Sequence, residues 1–199
     1  MGWRVSSSRS NGRSPEPTVG TDDAEDWLSA SAGGADPDAA LAFFDGLPPV
    51  GVPDVLGRWR GTGLPTGSPL DGLLEAYGWY GKEFVDAETV HPLLFADRTG
   101  TPRPVNPALV PIAVLRDRAA IAHHPLVRTA FGAVRPLLTT RRPVARLRAV
   151  EHRGVVTAAT VYDALPIIDV FRRVSDDVRL GAMDMRGLPS PFLFVLRRD

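Results

Sequence analysis

Residues 144–199 read VARLRAVEHRGVVTAATVYDALPIIDVFRRVSDDVRLGAMDMRGLPSPFLFVLRRD. Two segments, 144–153 and 155–163, meet across Gly154. PIIDVFRRV (166–174) turns at Ser175, Asp176 and Asp177 into VRLGAMDMR (178–186). Gly187 to Pro191 then leads into FLFVLRRD (192–199). Short strands at such regular spacing predict a sandwich or a small barrel. Pro166 would also suit the first turn of a helix, but Ile167, Ile168, Val170 and Val174 are β-branched and favour a strand. In that strand Ile167 and Phe171 share one face, and Ile168, Val170 and Val174 share the other. A sheet with one wet face does not need apolar residues on both. A second layer is therefore expected outside the sheet: a helix, a tail or a partner chain.

Working upstream, Val55–Gly63 alternates as a strand, with Val55, Gly57, Trp59 and Gly61 on one face. Ser68–Pro69 should cap a short helix carrying Leu70, Leu73, Leu74 and Tyr77. WYGKEFV (79–85) and HPLLFAD (91–97) read as extended. Residues 99–107 hold three prolines and read as loop. Val110–Leu115 suits a strand, and Pro125 opens a segment with Leu126, Ala130, Phe131 and Val134 near helical spacing. Asp36–Pro37 is an N-cap followed by a first-turn proline, and Gly46 can close the helix it starts. Residues 1–35 are rich in Ser, Gly, Pro and charge, without periodic apolar positions, and read as a disordered tail. No apolar stretch of signal-peptide type follows the basic start. The organisation expected is a tail over 1–35 and one domain over 36–199. That domain comprises 36–100, a connection over 101–143 and the meander 144–199.

The chain of 199 residues is 44% apolar and 23% charged, enough for one sizeable core. It has no cysteine, which excludes disulfides, thiolate catalysis and zinc ribbons, and suits a cytoplasmic setting. No run approaches the roughly 20 apolar residues of a membrane span. A formal net charge of zero argues against a general nucleic-acid partner. The zero hides an asymmetry: residues 21–45 hold seven acids and no base. Of 23 basic residues, Lys82 alone is lysine. Phosphate-loop, G-x-S-x-G, H-E-x-x-H and EF-hand strings are absent.

Gly57–Arg58–Trp59–Arg60–Gly61 sits within FFDGLPPVGVPDVLGRWRGTGLPTGSPLDGLLEAYGWYGKEF (43–84). This stretch resembles the bacterial family named for its G-x-W-x-G motif. ARLRAVEHRGVVTAATVYDALPIIDVFRRV (145–174), LGAMDMRG (180–187) and FLFVLRRD resemble the uncharacterised domain that follows that motif. The resemblance spans roughly residues 41–199 and implies a mainly β fold: a calycin-like, lipocalin-type antiparallel barrel with a few short helices. There Trp59 would plug the closed end, with Gly57 and Gly61 as structural neighbours. LGRWRGTG is also similar to the start of nitrobindin-type haem barrels, whose axial histidine lies near the chain's end. Here the last histidine is His152, and no cofactor is expected.

His123 and His124 are adjacent and form a poor metal pair; no metal site is expected. His91 is the histidine placed nearest a cavity. Asp163, Asp169 and Asp184 lie in or beside apolar strands, and a buried one needs a partner, which Arg146 or Arg148 could supply. The expected lining is Trp79, Tyr80, His91, Arg146, Tyr162, Asp163, Asp169, Phe171 and Arg172. It suits a small hydrophobic or amphipathic ligand, such as a lipid, with an arginine fork on its head. The alternatives are a cofactor-free cyclase or isomerase in the same barrel, a filled interaction module, and, less favoured, haem binding. A homodimer is compatible with the apolar outer faces.

Overall fold

The structure is a computed structural model that describes residues 19–97, 99–110 and 124–199. Among the described residues nine strands form one antiparallel sheet: β1 (Gly57–Gly63), β2 (Trp79–Phe84), β3 (Val90–Ala96), β4 (Pro102–Pro104), β5 (Ala145–His152), β6 (Val155–Tyr162), β7 (Ile167–Arg173), β8 (Val178–Met185) and β9 (Phe192–Arg198). Their order is β2-β1-β9-β8-β7-β6-β5-β3-β4, and β2 also pairs with β3. Eight strands therefore close a ring, with β4 attached outside it. The C-terminal meander forms as the sequence implies, and β1 joins it through pairs from Trp59↔Arg198 to Gly63↔Phe194. Closure between β3 and β5 is narrow: Val90 opposes Ala145, reinforced by Leu147 donating its N–H to the Ala87 carbonyl at 2.8 Å.

The apolar residues on both strand faces find two different partners. Trp59, Phe84, Leu147, Phe171, Phe194 and Leu196 pack inside the ring. Val170, Val178, Leu180, Ala182, Leu193 and Val195 pack outside it, under α1 (Thr21–Ala30) and α2 (Pro37–Gly46). The second layer is thus helical. Asp36 caps α2 through the Ala39 N–H, as its sequence predicts. After α2 the chain wedges between β6 and β7. There Val50 accepts from Ala158 N–H at 2.8 Å and donates to Thr157 Oγ1 at 3.0 Å.

Two expectations need correction. The tail reading of 1–35 fails over 21–30, where α1 buries Ala24 and Leu28 and stacks Trp27 on Phe43 at 4.0 Å. So few apolar residues in an acidic segment give little periodicity, and docking supplies the stability that local propensity lacks. Residues 1–18 lie outside the described residues. The loop reading of 99–107 fails at Pro102–Pro104, which pair with β3 as β4. An edge strand tolerates proline because one side of it needs no ladder donor. Of the Val110–Leu115 strand, all but Val110 falls outside the described residues, and Val110 itself is not in a strand. The helix expected from Pro125 is present as α4 (Pro125–Val134), with His124 Nδ1 accepting from the Leu126 N–H at its start. A short helix, α3 (Leu73–Ala76), precedes β2.

One backbone irregularity sets the inside of the ring. Strict alternation along β2 would put Trp79, Gly81 and Glu83 on one face and Tyr80 and Lys82 on the other. The β2–β3 register shifts on either side of Gly81, whose φ is +147°. The bulge reverses the alternation, so Trp79, Lys82 and Phe84 all face inward, while Tyr80 and Glu83 face out. A Cβ at Gly81 would lie 1.9 Å from the Trp59 carbonyl oxygen.

Gly81→Ala should therefore cost about 3 kcal/mol or more, since both φ and the backbone contact forbid a side chain. Gly132→Ala, in open space on α4, should instead gain about 0.5–1 kcal/mol. Urea titration of the two variants checks the contrast. A second expectation concerns His152, whose proton affinity is lowered by burial, opposed by Asp184 and assisted by Arg153. Its folded pKa lies below the unfolded value near about 6.5, so the unfolded chain binds the proton first. Stability should fall as pH drops below that value, and His152→Gln should flatten this part of the profile in thermal melts.

Candidate functional site

Inside the ring, toward α3 and α4, lies a cavity of about 160 Å³. Leu70, Leu73 and Leu74 line it from the α3 region, and Val127 and Phe131 from α4. Trp79, Leu93, Phe95, Ile167, Met183, Phe192 and Phe194 line it from the strands. Phe131 meets Tyr77 edge-on at 4.9 Å and Phe95 at 5.5 Å, closing an aromatic roof. Two glycines make room for this wall. A Cβ at Gly61 would strike the Trp79 ring at 2.1 Å, and one at Gly181 the Phe194 ring at 2.3 Å.

Among these apolar groups stands the chain's one lysine. Lys82 is 3% exposed and Asp169 is fully buried. Lys82 Nζ donates to Asp169 Oδ2 at 2.7 Å, to Tyr162 Oη at 3.3 Å and to the Pro92 carbonyl at 3.1 Å. All three N–H bonds of an ammonium are used. Its Nζ also lies 4.9 Å from the Phe194 ring centre, and 5.8 Å from those of Trp79 and Tyr162. Tyr162 donates to Asp169 Oδ2 at 2.9 Å. Burial, with the adjacent carboxylate, raises the Tyr162 pKa well above its ordinary value, so the phenol keeps its proton. Two polar atoms here have no partner among the described residues: Asp169 Oδ1 and the indole Nε1 of Trp79.

The sequence-derived set divides. Trp79 and Tyr162 line the cavity, and Asp169 stands behind them. Phe171 lies inside the ring but away from the cavity wall, edge-on to Phe84 at 5.6 Å. Tyr80 points outward and donates to Asp199 at 2.6 Å beneath the Arg60 guanidinium. His91 is buried opposite Glu83 in the β2–β3 register and does not line the cavity. Arg146 and Asp163 form an exposed pair at 2.8 Å. Arg172 shares the outer face with Val170 and packs on Phe44 of α2, its guanidinium carbon 5.2 Å from that ring centre. Among the described residues no arginine fork reaches the cavity; the partner of Asp169 is Lys82. Trp59 sits toward the opposite end of the ring, donating Nε1 to the Val55 carbonyl at 2.8 Å beneath Arg198 and Arg179. Gly57, at φ +112°, begins that strand, and a Cβ there would meet the Arg198 guanidinium at 3.3 Å. Among the described residues no cluster of His, Asp or Glu could hold a metal ion, and no helix is long and apolar enough to cross a membrane.

The model of the GXWXG protein matches residues 42–100, and that of a domain of unknown function (DUF4334) matches residues 143–198. No curated protein matches. The crystal structure of a protein from Thermomonospora curvata is similar at 34% identity with a TM-score of 0.65. The match covers 89% of this chain and 99% of that one.

Removing one member of a buried ion pair strands the other. Lys82→Met should therefore cost about 3–5 kcal/mol, and the double variant Lys82→Met with Asp169→Leu should recover most of it. A double-mutant cycle by urea denaturation measures the coupling, and additive losses would show the pair to be energetically idle.

Proposed function

The chain belongs to the GXWXG family in the arrangement where DUF4334 follows, and we propose that it binds a small, uncharged, largely hydrophobic molecule carrying one oxygen function. We read the ring as a barrel of the calycin or lipocalin type, with the ligand held inside it beneath α3 and α4. The observation that carries the proposal is an apolar cavity whose one charged lining residue among the described residues is neutralised by Asp169, beside an indole N–H that has no acceptor among them. Apolar walls supply affinity by removing hydrophobic surface from water. The Trp79 N–H supplies orientation, because a buried donor gains most when an acceptor arrives. An anionic head is disfavoured: Lys82 already has its counter-ion, and an added charge would enter the site unpaired. The volume suits a single substituted ring or a short branched chain, since cavities of about 150 Å³ accept benzene.

Calorimetric titration with three ligands of one shape tests this reading: 4-isopropylbenzyl alcohol, 4-isopropyltoluene and 4-isopropylbenzoate. The alcohol should bind best and the benzoate at least about tenfold more weakly. Trp79→Phe should weaken the alcohol about fivefold, the worth of one net hydrogen bond, and leave the hydrocarbon unchanged. Failure of all three to bind overturns the proposal.

A further inference from the structure

Lysine is an odd choice for a buried ion pair in this chain. Every other basic side chain, 22 of 23, is arginine. Arginine's planar fork is the better partner for a buried carboxylate, and it cannot lose its proton. Lysine can, and a neutral amine in an apolar site is a nucleophile toward carbonyl carbon. The single lysine faces inward and borders the cavity, delivered there by the Gly81 bulge.

We propose that Lys82 forms a Schiff base with a hydrophobic aldehyde or ketone bound in this cavity, with Asp169 and Tyr162 as its proton-handling partners. The inference rests on the binding proposal above and names the oxygen function as a carbonyl.

The groups present balance each step. Asp169 Oδ2, 2.7 Å away, takes a proton from the Lys82 ammonium and frees its lone pair. The amine attacks the carbonyl carbon; a C–N bond forms and the π pair moves to oxygen, which takes the proton from Asp169. The new N–H then returns a proton to Asp169. The C–O bond breaks as that proton joins the departing hydroxyl, and water leaves. The product is a protonated imine paired with the Asp169 carboxylate. Reactants and product carry the same net charge, so the apolar site never holds an unpaired ion between the start and the end of the sequence. Asp169 Oδ1 is buried without a donor and can carry the transient proton. Tyr162, protonated and bonded to both partners, keeps Lys82 and Asp169 in line. Trp79 Nε1 is the nearby donor without an acceptor, suited to the carbonyl oxygen as charge develops on it.

The test is trapping with 4-isopropylbenzaldehyde and sodium cyanoborohydride, followed by peptide mass spectrometry of the full chain. The terminal amino group is the other primary amine and acts as an internal reference. Lys82 should be alkylated at least about tenfold faster than that amine, through the effective concentration of a bound carbonyl. 4-Isopropylbenzyl alcohol, which cannot form an imine, should block the Lys82 adduct and spare the terminal one. Lys82→Arg should lose the internal adduct. Because that variant could misfold, competition by the alcohol in the wild-type chain stands as the independent measurement. An adduct confined to the terminal amine, while the alcohol still binds, overturns the Schiff-base proposal and leaves the binding proposal standing. Absence of both the Lys82 adduct and alcohol binding overturns the two together.

Discussion

The interior of the ring depends on a glycine that no other residue could replace. At Gly81 the β2 backbone passes so close to the Trp59 carbonyl that even a methyl group would overlap it. The bulge formed there moves Lys82 from the outer face to the inner one and lets Trp79 and Phe84 stay inside with it. Without it, Glu83 would face the core and Lys82 would face water. The buried charge pair, the cavity wall and the outward salt bridge of Glu83 with Arg58 at 3.0 Å thus follow from one backbone feature.

The two ends of the ring are built differently. At one end Trp59 lies beneath two arginines, and the guanidinium of Arg198 also bonds the Leu56 carbonyl at 3.1 Å. Arg179 bonds backbone carbonyls of Ser175, Val178 and Asp54. Burial lowers the Arg179 pKa from its ordinary value, with Arg173 and Arg198 adding to the effect, but arginine holds its proton throughout the working pH range. These bonds tie β1, β8 and β9 together. At the other end the cavity is roofed by side chains from two helices, one of them four residues long. Packing is tight where the family's motif lies and looser where the ligand is proposed to sit.

Much of the fold was legible because strand alternation and turn residues coincide through 144–199, and each C-terminal strand forms within a residue or two of its reading. Alternation over Val55–Gly63 extended this to β1. The site was less legible, for two reasons. Alternation in WYGKEF groups Lys82 with Tyr80 on the face that points outward, and a bulge is a tertiary feature that local pattern does not reveal. The available signal was compositional: one lysine in a chain otherwise basic through arginine. Arg172 shows the second reason. Alternation puts Arg172 on the face of Ile168 and Val170, but a strand apolar on both faces does not say which face is inside, and the expected lining placed it there wrongly. The helix α1, whose docking settles that outer layer, has too few apolar residues to announce itself.

That outer layer bears on the chemistry inside. Because α1 and α2 cover Val170, Leu180, Ala182 and Val195, strands β7, β8 and β9 are buried on both faces and have little freedom to move apart. Asp169, on β7, is held in that way and keeps Lys82 and Tyr162 within hydrogen-bond reach. The contrast is α4, which buries none of its residues fully, with Leu126 72% exposed. An element with few buried contacts opens at low free energy compared with the strands. The rigid part of the molecule therefore holds the polar cluster, and the weakly held part covers it. A site that must admit an apolar molecule, exclude water around a charge pair and keep three polar atoms aligned needs that division.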